Sequence, residues 1–492
     1  NVIYATWIIN LAGNYSQSEI FKSVNGGSTF VKTYSSSSLP ALSSYDGTVN
    51  GGGYGWANYA IVVDPTNSNT VYTGAHLFFK STDGAQSFSS TISGWWCCIH
   101  TDIQDIIFDP TNNTRILAAT DGGIFVSSNQ GVAWQPSSNG LNCSQYYSFG
   151  QGHVDSNFVV GGLQDNGIMY LNTDNNIHTY AGGDYNRFTL CDYFNPHNVY
   201  TSSSGGKVFD PYNRANSASI NLPVEIAGVS ETPCIEFSQL NAGRAFSFKS
   251  NVWVSSNLNS YTMSSSGGSS SVSWTKLTNL TGLNIMALAI APDNDDLIYF
   301  ITDNGKFYTA TLSSGSLLAI NNISLPGQSN IAASISISTL NPDVIYVTAN
   351  DKVYHSSNAG VFFEDITANL PSINFQAIYI DPFSTIEGLY IVSDLGVFYT
   401  DWTLPSWTNL NADFQPNTSN PNAVFYQLIA GSGIYKGSNS ATSHVSLGTW
   451  GAGFQKVNFY EQKCHSLPAD WQLKSYGPTF STNAACYDGT NG

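Results

Sequence analysis

The chain has 492 residues and a net charge of −17, with 16 Lys plus Arg against 33 Asp plus Glu. It lacks the basic footprint that nucleic acid or an anionic membrane surface requires, and no apolar run approaches the roughly 20 residues of a helical membrane span. Charged residues make up only 10% and aromatics 13%, so the surface is wetted by hydroxyls and amides. That composition suits strands rather than long surface helices.

In chain order, one unit recurs. An apolar run meets a Pro corner and resumes with a Val/Ile/Tyr-rich run: YAIVVDPTNSNTVYTG (59–74), IIFDPTNNTRILAA (106–119), CDYFNPHNVYTS (191–202), LAIAPDNDDLIYFI (288–301), SISTLNPDVIYVTA (336–349) and IYIDPFSTIEGLYIV (378–392). The corners fall at Asp64, Asp109, Asn195, Asn341 and Asp381, with Ala291-Pro292 as a variant. Pro fixes φ there, and Asp or Asn caps the turn. A third run follows: IFKS, FFKS, IFVS, VWVS, VYHS and VFYT.

After four of these third runs comes S-x-[DN]-x-[GA]-x-x-[FW], in SVNGGSTF (23–30), STDGAQSF (81–88), SSNQGVAW (127–134) and SSNAGVFF (356–363). This is the Asp-box pattern. The side chains of Asn25, Asp83, Asn129 and Asn358 are expected to accept turn amides, a small residue permits the bend, and the aromatic packs below. Four strands per unit of about 45 residues, repeated head to tail, predict an all-β, multi-bladed β-propeller of about nine or ten blades. The first blade reads as incomplete, lacking its innermost strand. Residues 1–458 form the propeller and 459–492 a short C-terminal tail holding Cys464 and Cys486. The stretch TMSSSGGSSSVS (262–273) reads as a flexible insertion.

Seven Cys occur and none forms a CxxC pair. The first expected disulfide is Cys464–Cys486. Cys191–Cys234 is the second, on the reading that they hold equivalent repeat positions. The odd total leaves a thiol outside internal pairing. Six sequons stand at Asn14, Asn112, Asn142, Asn279, Asn322 and Asn417. With few charges and several Cys they point to an extracellular or cell-surface glycoprotein. The start at Asn1 fits a removed secretion signal.

The Asp-box turns, the run HTDIQDIIFDP…LAATDGGIFVSS…GVAWQPSSNGLN, then GGLQDNG, GGDYNRF and GTWGAGFQ resemble the Asp-box β-propeller proteins. These are similar to sortilin, to xyloglucanase-type glycosidases and, most, to large secreted bacterial propellers. The resemblance spans roughly residues 1–458. It implies the fold more firmly than an activity. It also implies that further blades usually precede the first segment, so head-to-tail assembly with another copy is an expectation.

The xyloglucanase resemblance implies two Asp facing each other across a cleft, general acid opposite general base. Asp102, Asp105 and Asp165 are the residual candidates for such a role, with Asp121 and Asp184 on the same acidic rim. The structural alternative makes each Asp a hairpin-turn residue, because TDGG and QDNG recur as TDNG (302–305) and SDLG (393–396). Repetition favours that reading. His100 has no partner His at metal-ligand spacing, and no D-x-D-x-D-G loop marks calcium, so no cofactor is expected and calcium is only a weak alternative. Too few Arg are present for a sialidase. The WWCC stretch (95–98) reads as a blade-edge plug, with one Cys paired through Cys143, or as a sugar-stacking Trp pair. The chain is therefore expected to be a non-catalytic, structural or adhesive propeller that binds protein or glycan, the alternative being a polysaccharide hydrolase using paired Asp.

Overall fold

The computed structural model describes all residues except 12–13, 36–39, 46, 49–51, 54, 91–97, 139–140, 142–143, 172–176, 182–187, 196–197, 203–205, 214–215, 221, 224–233, 278–282, 314–315, 326–332, 411–428, 450–453 and 461–492. The fold is a multi-bladed β-propeller. Among the described residues there are ten antiparallel meander sheets, eight of four strands and two of three. The only described helix is the single turn Ser440–Thr442.

The chain forms two compact units, 1–144 with 163–167 and 181–185, and 145–162 with 168–180 and 186–492. The first unit holds three sheets. The opening one has three strands, Ile3–Leu11, Asn14–Ser23 and Val31–Tyr34. The other two begin with Ala60–Asp64 and Ile103–Asp109.

The second unit is a closed ring of seven sheets. Their first strands are Tyr146–Gln151, Thr189–Cys191, Cys234–Phe237, Ile285–Ala291, Ala333–Ile337, Phe375–Ile380 and Ile429–Tyr435. The seventh sheet packs back onto the first. Ser446 Oγ donates to Gln151 Oε1 at 2.5 Å, and Lys456 Nζ donates to the Ser156 carbonyl at 2.7 Å. Phe149 stacks on Phe454 with centroids 5.6 Å apart. Glycine makes this closure possible: a Cβ on Gly431 would meet Phe149 Cβ at 3.0 Å, and one on Gly448 would meet Phe149 Cδ2 at 2.9 Å.

The core lies between sheets. The second-strand tyrosines of the repeat, Tyr72, Tyr200, Tyr299, Tyr346 and Tyr390, are all buried. Buried tyrosines need a partner for the hydroxyl. Residues at the corners supply it twice, Tyr390 Oη donating to Asp381 Oδ2 at 3.4 Å and Tyr200 Oη to Asp192 Oδ2 at 3.3 Å, whereas Tyr72 Oη donates to the Gln130 carbonyl at 3.1 Å. The corners at Asp64, Asp109 and Asp381 are capped as the composition predicts. Asp64 Oδ1 accepts the Thr66 amide at 2.8 Å, and Asp109 Oδ1 accepts that of Thr111 at 2.8 Å. Asn341 Oδ1 accepts the amide of Asp343 at 3.2 Å. Three residues before the Asn-Pro corners a second cap is present: Asp192 accepts the Phe194 amide at 2.8 Å and Ser338 that of Leu340 at 3.2 Å.

Two further expectations are corrected. Cys191 is a buried thiol without a disulfide, so the Cys191–Cys234 pairing fails. Cys191 ends its inner strand, whereas Cys234 begins the inner strand of the next sheet. The two are at opposite ends, not equivalent positions. Burial pushes the Cys191 thiol well above its ordinary pKa, with the Asp192 charge adding to the effect. The insertion 262–273 is ordered as a ribbon, Tyr261–Thr262 paired with Ser269–Ser270. The Ser217 and Ser264 backbones hold it to the preceding sheet at 3.1 and 3.2 Å. Cys97, Cys143, Cys464 and Cys486 lie outside the described residues, as do Trp95, Trp96 and Asp184.

Candidate functional site

The hairpin turns decide what the acidic residues do. In each of the four Ser-x-Asn/Asp turns the same bonds recur. Ser23, Ser81, Ser127 and Ser356 donate Oγ to Oδ1 of Asn25, Asp83, Asn129 and Asn358 at 2.8–2.9 Å. The same hydroxyls accept the amides of Gly27, Ala85, Gly131 and Gly360 at 2.8–3.0 Å. Two successive residues are left-handed in each turn, such as Gln130 and Gly131 (φ 56° and 81°) and Ala359 and Gly360 (55° and 80°), which is why the pattern calls for small residues there. Burial alone would raise the Asp83 pKa, but hydrogen bonds from Ser87, Ser81 and Gln86 hold it well below the carboxylate range.

A fifth such turn escaped the sequence pattern. Ser255 Oγ donates to Asn257 Oδ1 at 3.2 Å, and Asn257 Oδ1 accepts the amide of Ser273 at 2.9 Å, sixteen residues on instead of four. The ordered ribbon is inserted inside the turn, and Trp274 takes the aromatic position against the core. The signal was legible as Ser-x-Asn followed, after the insertion, by Trp.

The candidates of the first unit meet in one polar cluster. Asp102 is 7% exposed and left-handed at φ 61°. Its Oδ1 accepts from Asn58 Nδ2 at 3.2 Å and lies 3.0 Å from His76 Nδ1, and Oδ2 accepts from Thr101 Oγ1 at 3.3 Å. His76 is 2% exposed and stacks on Tyr45 at 4.4 Å. Gln104 Nε2 donates to Asn58 Oδ1 at 3.0 Å and to Asp121 Oδ1 at 2.6 Å. The sequence reading missed Asn58, His76 and Gln104, because nothing in their local spacing ties them to Asp102.

Asp165, at φ 58° in its turn, enters through its backbone carbonyl, which faces His100 Nε2 at 3.1 Å. His100 Nδ1 faces the Thr101 carbonyl at 3.0 Å. Both ring nitrogens of His100 are turned to carbonyl oxygens, so neither is aimed at a metal position. Asp105 stands apart: it is exposed, and its Oδ1 accepts the amide of Ile106 at 2.8 Å beside a bulge. Among the described residues no group of three His, Cys, Asp or Glu is placed to hold a metal.

Both Asp102 oxygens are engaged, and the His76 ring that it orients is buried. A general acid or base must reach the proton it transfers, and neither group is at the surface. In two of the recurring turns the hydroxyl before the Asp bonds across the hairpin: Thr120 Oγ1 donates to the Gly123 carbonyl at 2.9 Å and Ser393 Oγ to that of Gly396 at 3.1 Å.

The ring carries a different arrangement at its rim. A cavity of about 280 Å³ is lined by Glu387, Leu389, Thr400, Trp402, Pro405 and Trp407. Trp402 is 57% exposed. Its ring meets His355 edge-on at 5.1 Å, and His355 Nδ1 lies 2.6 Å from Glu364 Oε1. Tyr346 Oη donates to Glu387 Oε2 at 2.8 Å. The buried Trp407 fixes the loop by donating Nε1 to the Ile366 carbonyl at 3.1 Å. An exposed indole face beside a carboxylate and a hydroxyl is what a sugar ring or a peptide side chain can stack on and bond to. Of the sequon residues with described side chains, Asn112 and Asn322 are both exposed. The Asn14 side chain and all of Asn142, Asn279 and Asn417 lie outside the described residues.

No family model matches the chain, and no curated protein matches it. Among solved structures it is similar to the GH74 enzyme of Niastella koreensis, at 14% identity and a TM-score of 0.35, over 90% of this chain and 80% of that one.

Proposed function

We propose that this chain is a non-catalytic propeller, an extracellular structural or adhesive component that binds glycan or protein on the rim of its ring. The observation that carries this reading is the saturation of Asp102: both carboxylate oxygens are held by side-chain donors beside a buried His76. Support for the surface role comes from the low share of charged residues, the exposed sequon residues Asn112 and Asn322, and the exposed Trp402 beside Glu387.

The test has two arms. Wild-type protein on a panel of β-glucans is expected to release no reducing sugar. On a glycan array it is expected to bind, with the signal lost in Trp402→Ala and kept in Asp102→Asn. The competing reading is a polysaccharide hydrolase using paired Asp. Turnover of one glucan, abolished in Asp102→Asn or Asp165→Asn while the melting curve is unchanged, would establish that reading instead.

A further inference from the structure

The inner strands of the ring line two adjoining cavities of about 550 and 260 Å³. Glu236, Gln239, Tyr379, Ser432 and Ile434 belong to both linings. The rest of the larger wall is mostly aliphatic, with Ala289 and Ile335 partly open to the space. Among the described lining residues there is no Lys or Arg, and Glu236 is the single carboxylate.

That carboxylate is the anomaly. Every buried acidic residue of the corners and turns is tied to amides or hydroxyls, as Asp381 is to the Phe383 amide at 2.8 Å. Glu236 has no hydrogen bond or ion pair with any described residue. Glu236 is half-buried in the cavity wall, and a carboxylate held in a cavity without a protein partner marks a functional site more often than a structural one. Desolvation pushes its pKa up to about 7. Tyr379 stands close enough to feel the charge: its own pKa, pushed to about 12 chiefly by burial, is raised further by Glu236. Tyr379 Oη and Ser432 Oγ are 2.9 Å apart, which fixes a pair of hydroxyl oxygens beside the carboxylate.

We infer that the ring's central cavity is a binding site for a small aliphatic amine, its ammonium paired with Glu236 and bonded to the Tyr379 and Ser432 hydroxyls, its hydrocarbon part against the Ala289 and Ile335 wall. An ammonium supplies both the missing charge and the missing donors. Among the described lining residues there is no Lys or Arg to pair with an anion. The volume is in the range of small-molecule pockets. The site does not depend on whether the chain is catalytic elsewhere.

The test is titration calorimetry of the full chain with hexylammonium chloride, and with hexanol as the neutral analogue of equal length. Wild-type protein is expected to bind the amine at about pH 8 and to bind it at least about tenfold more weakly at about pH 5.5, where Glu236 takes up a proton. Hexanol is expected to bind at least about tenfold more weakly than the amine at the higher pH and to show no pH dependence. Glu236→Gln is expected to remove the preference for the amine. In the wild type, the carbon-13 shift of the Glu236 carboxyl is expected to titrate at lower pH once the amine is added, a readout that needs no variant. Undiminished amine binding in Glu236→Gln, equal binding of hexanol, or no amine binding at millimolar concentration would each overturn the proposal.

Discussion

Asp102 of the first unit is buried and Glu236 of the ring is half-buried in a cavity wall, and the two carboxylates are in opposite states. Asp102 has donors on both oxygens and a buried imidazole beside it. Glu236 has none. The lesson is that burial alone does not identify a site: a carboxylate whose lone pairs are all used is part of the scaffold, and one whose lone pairs are unused is available for a ligand.

The largest expected effect that sharpens this comparison is at Glu236 itself. Its folded pKa of about 7 lies above the ordinary carboxylate value, so its contribution to stability is full at acid pH and is lost as pH rises through about 7. Glu236→Gln should therefore be more stable than wild type at about pH 8, by on the order of 2 kcal/mol in urea unfolding, and equal to it below about pH 4. A variant less stable than wild type at the higher pH would show that Glu236 has a structural partner.

His444 gives a slope of the opposite sign. It is buried in the ring's closing sheet, with its ring stacked on Tyr435 at 5.2 Å. Desolvation, then the charge of Lys456, lowers its pKa to about 4. A lowered histidine pKa means that stability is present above the unfolded value and is lost as pH falls toward about 4. Between about pH 6.5 and pH 4 the wild type should lose roughly 2 kcal/mol that His444→Gln does not lose. Parallel pH profiles for the two proteins would refute this.

Smaller effects should come from the turns. Ser127→Ala removes the hydroxyl that both donates to Asn129 and accepts the Gly131 amide, and is expected to cost about 1–2 kcal/mol in a urea series. Ala359→Gly relaxes a left-handed residue at φ 55° and should raise stability by about 0.5–1 kcal/mol. A loss of stability there would mean that the methyl group packs to more effect than the backbone strain opposes.

Local regularities were legible in the sequence. The corner Asp or Asn, the buried second-strand Tyr and the Ser-x-Asn turns each act over a few residues, and each repeats. The fold class follows from counting them. What the sequence concealed is non-local. Nothing near Asp102 announces Asn58 or His76, which come from 44 and 26 residues away. Asn257 hid because the bond that closes its turn, from the Ser273 amide, crosses an inserted ribbon. Cys191 and Cys234 looked equivalent only until strand ends were placed. Glu236 carries no motif at all. Its meaning lies in which inner strands surround it, and ring closure determines that.

The central claim is that the first unit's carboxylates are scaffold, and urea unfolding of Asp102→Ala at neutral pH tests it most directly. Removing a scaffold carboxylate leaves His76 and Asn58 buried without their acceptor, so the account predicts a loss of about 3 kcal/mol or more, the reverse in sign of Glu236→Gln. An Asp102→Ala protein as stable as the wild type, or more so, is the signature of a residue held for function at the expense of stability and would contradict the account.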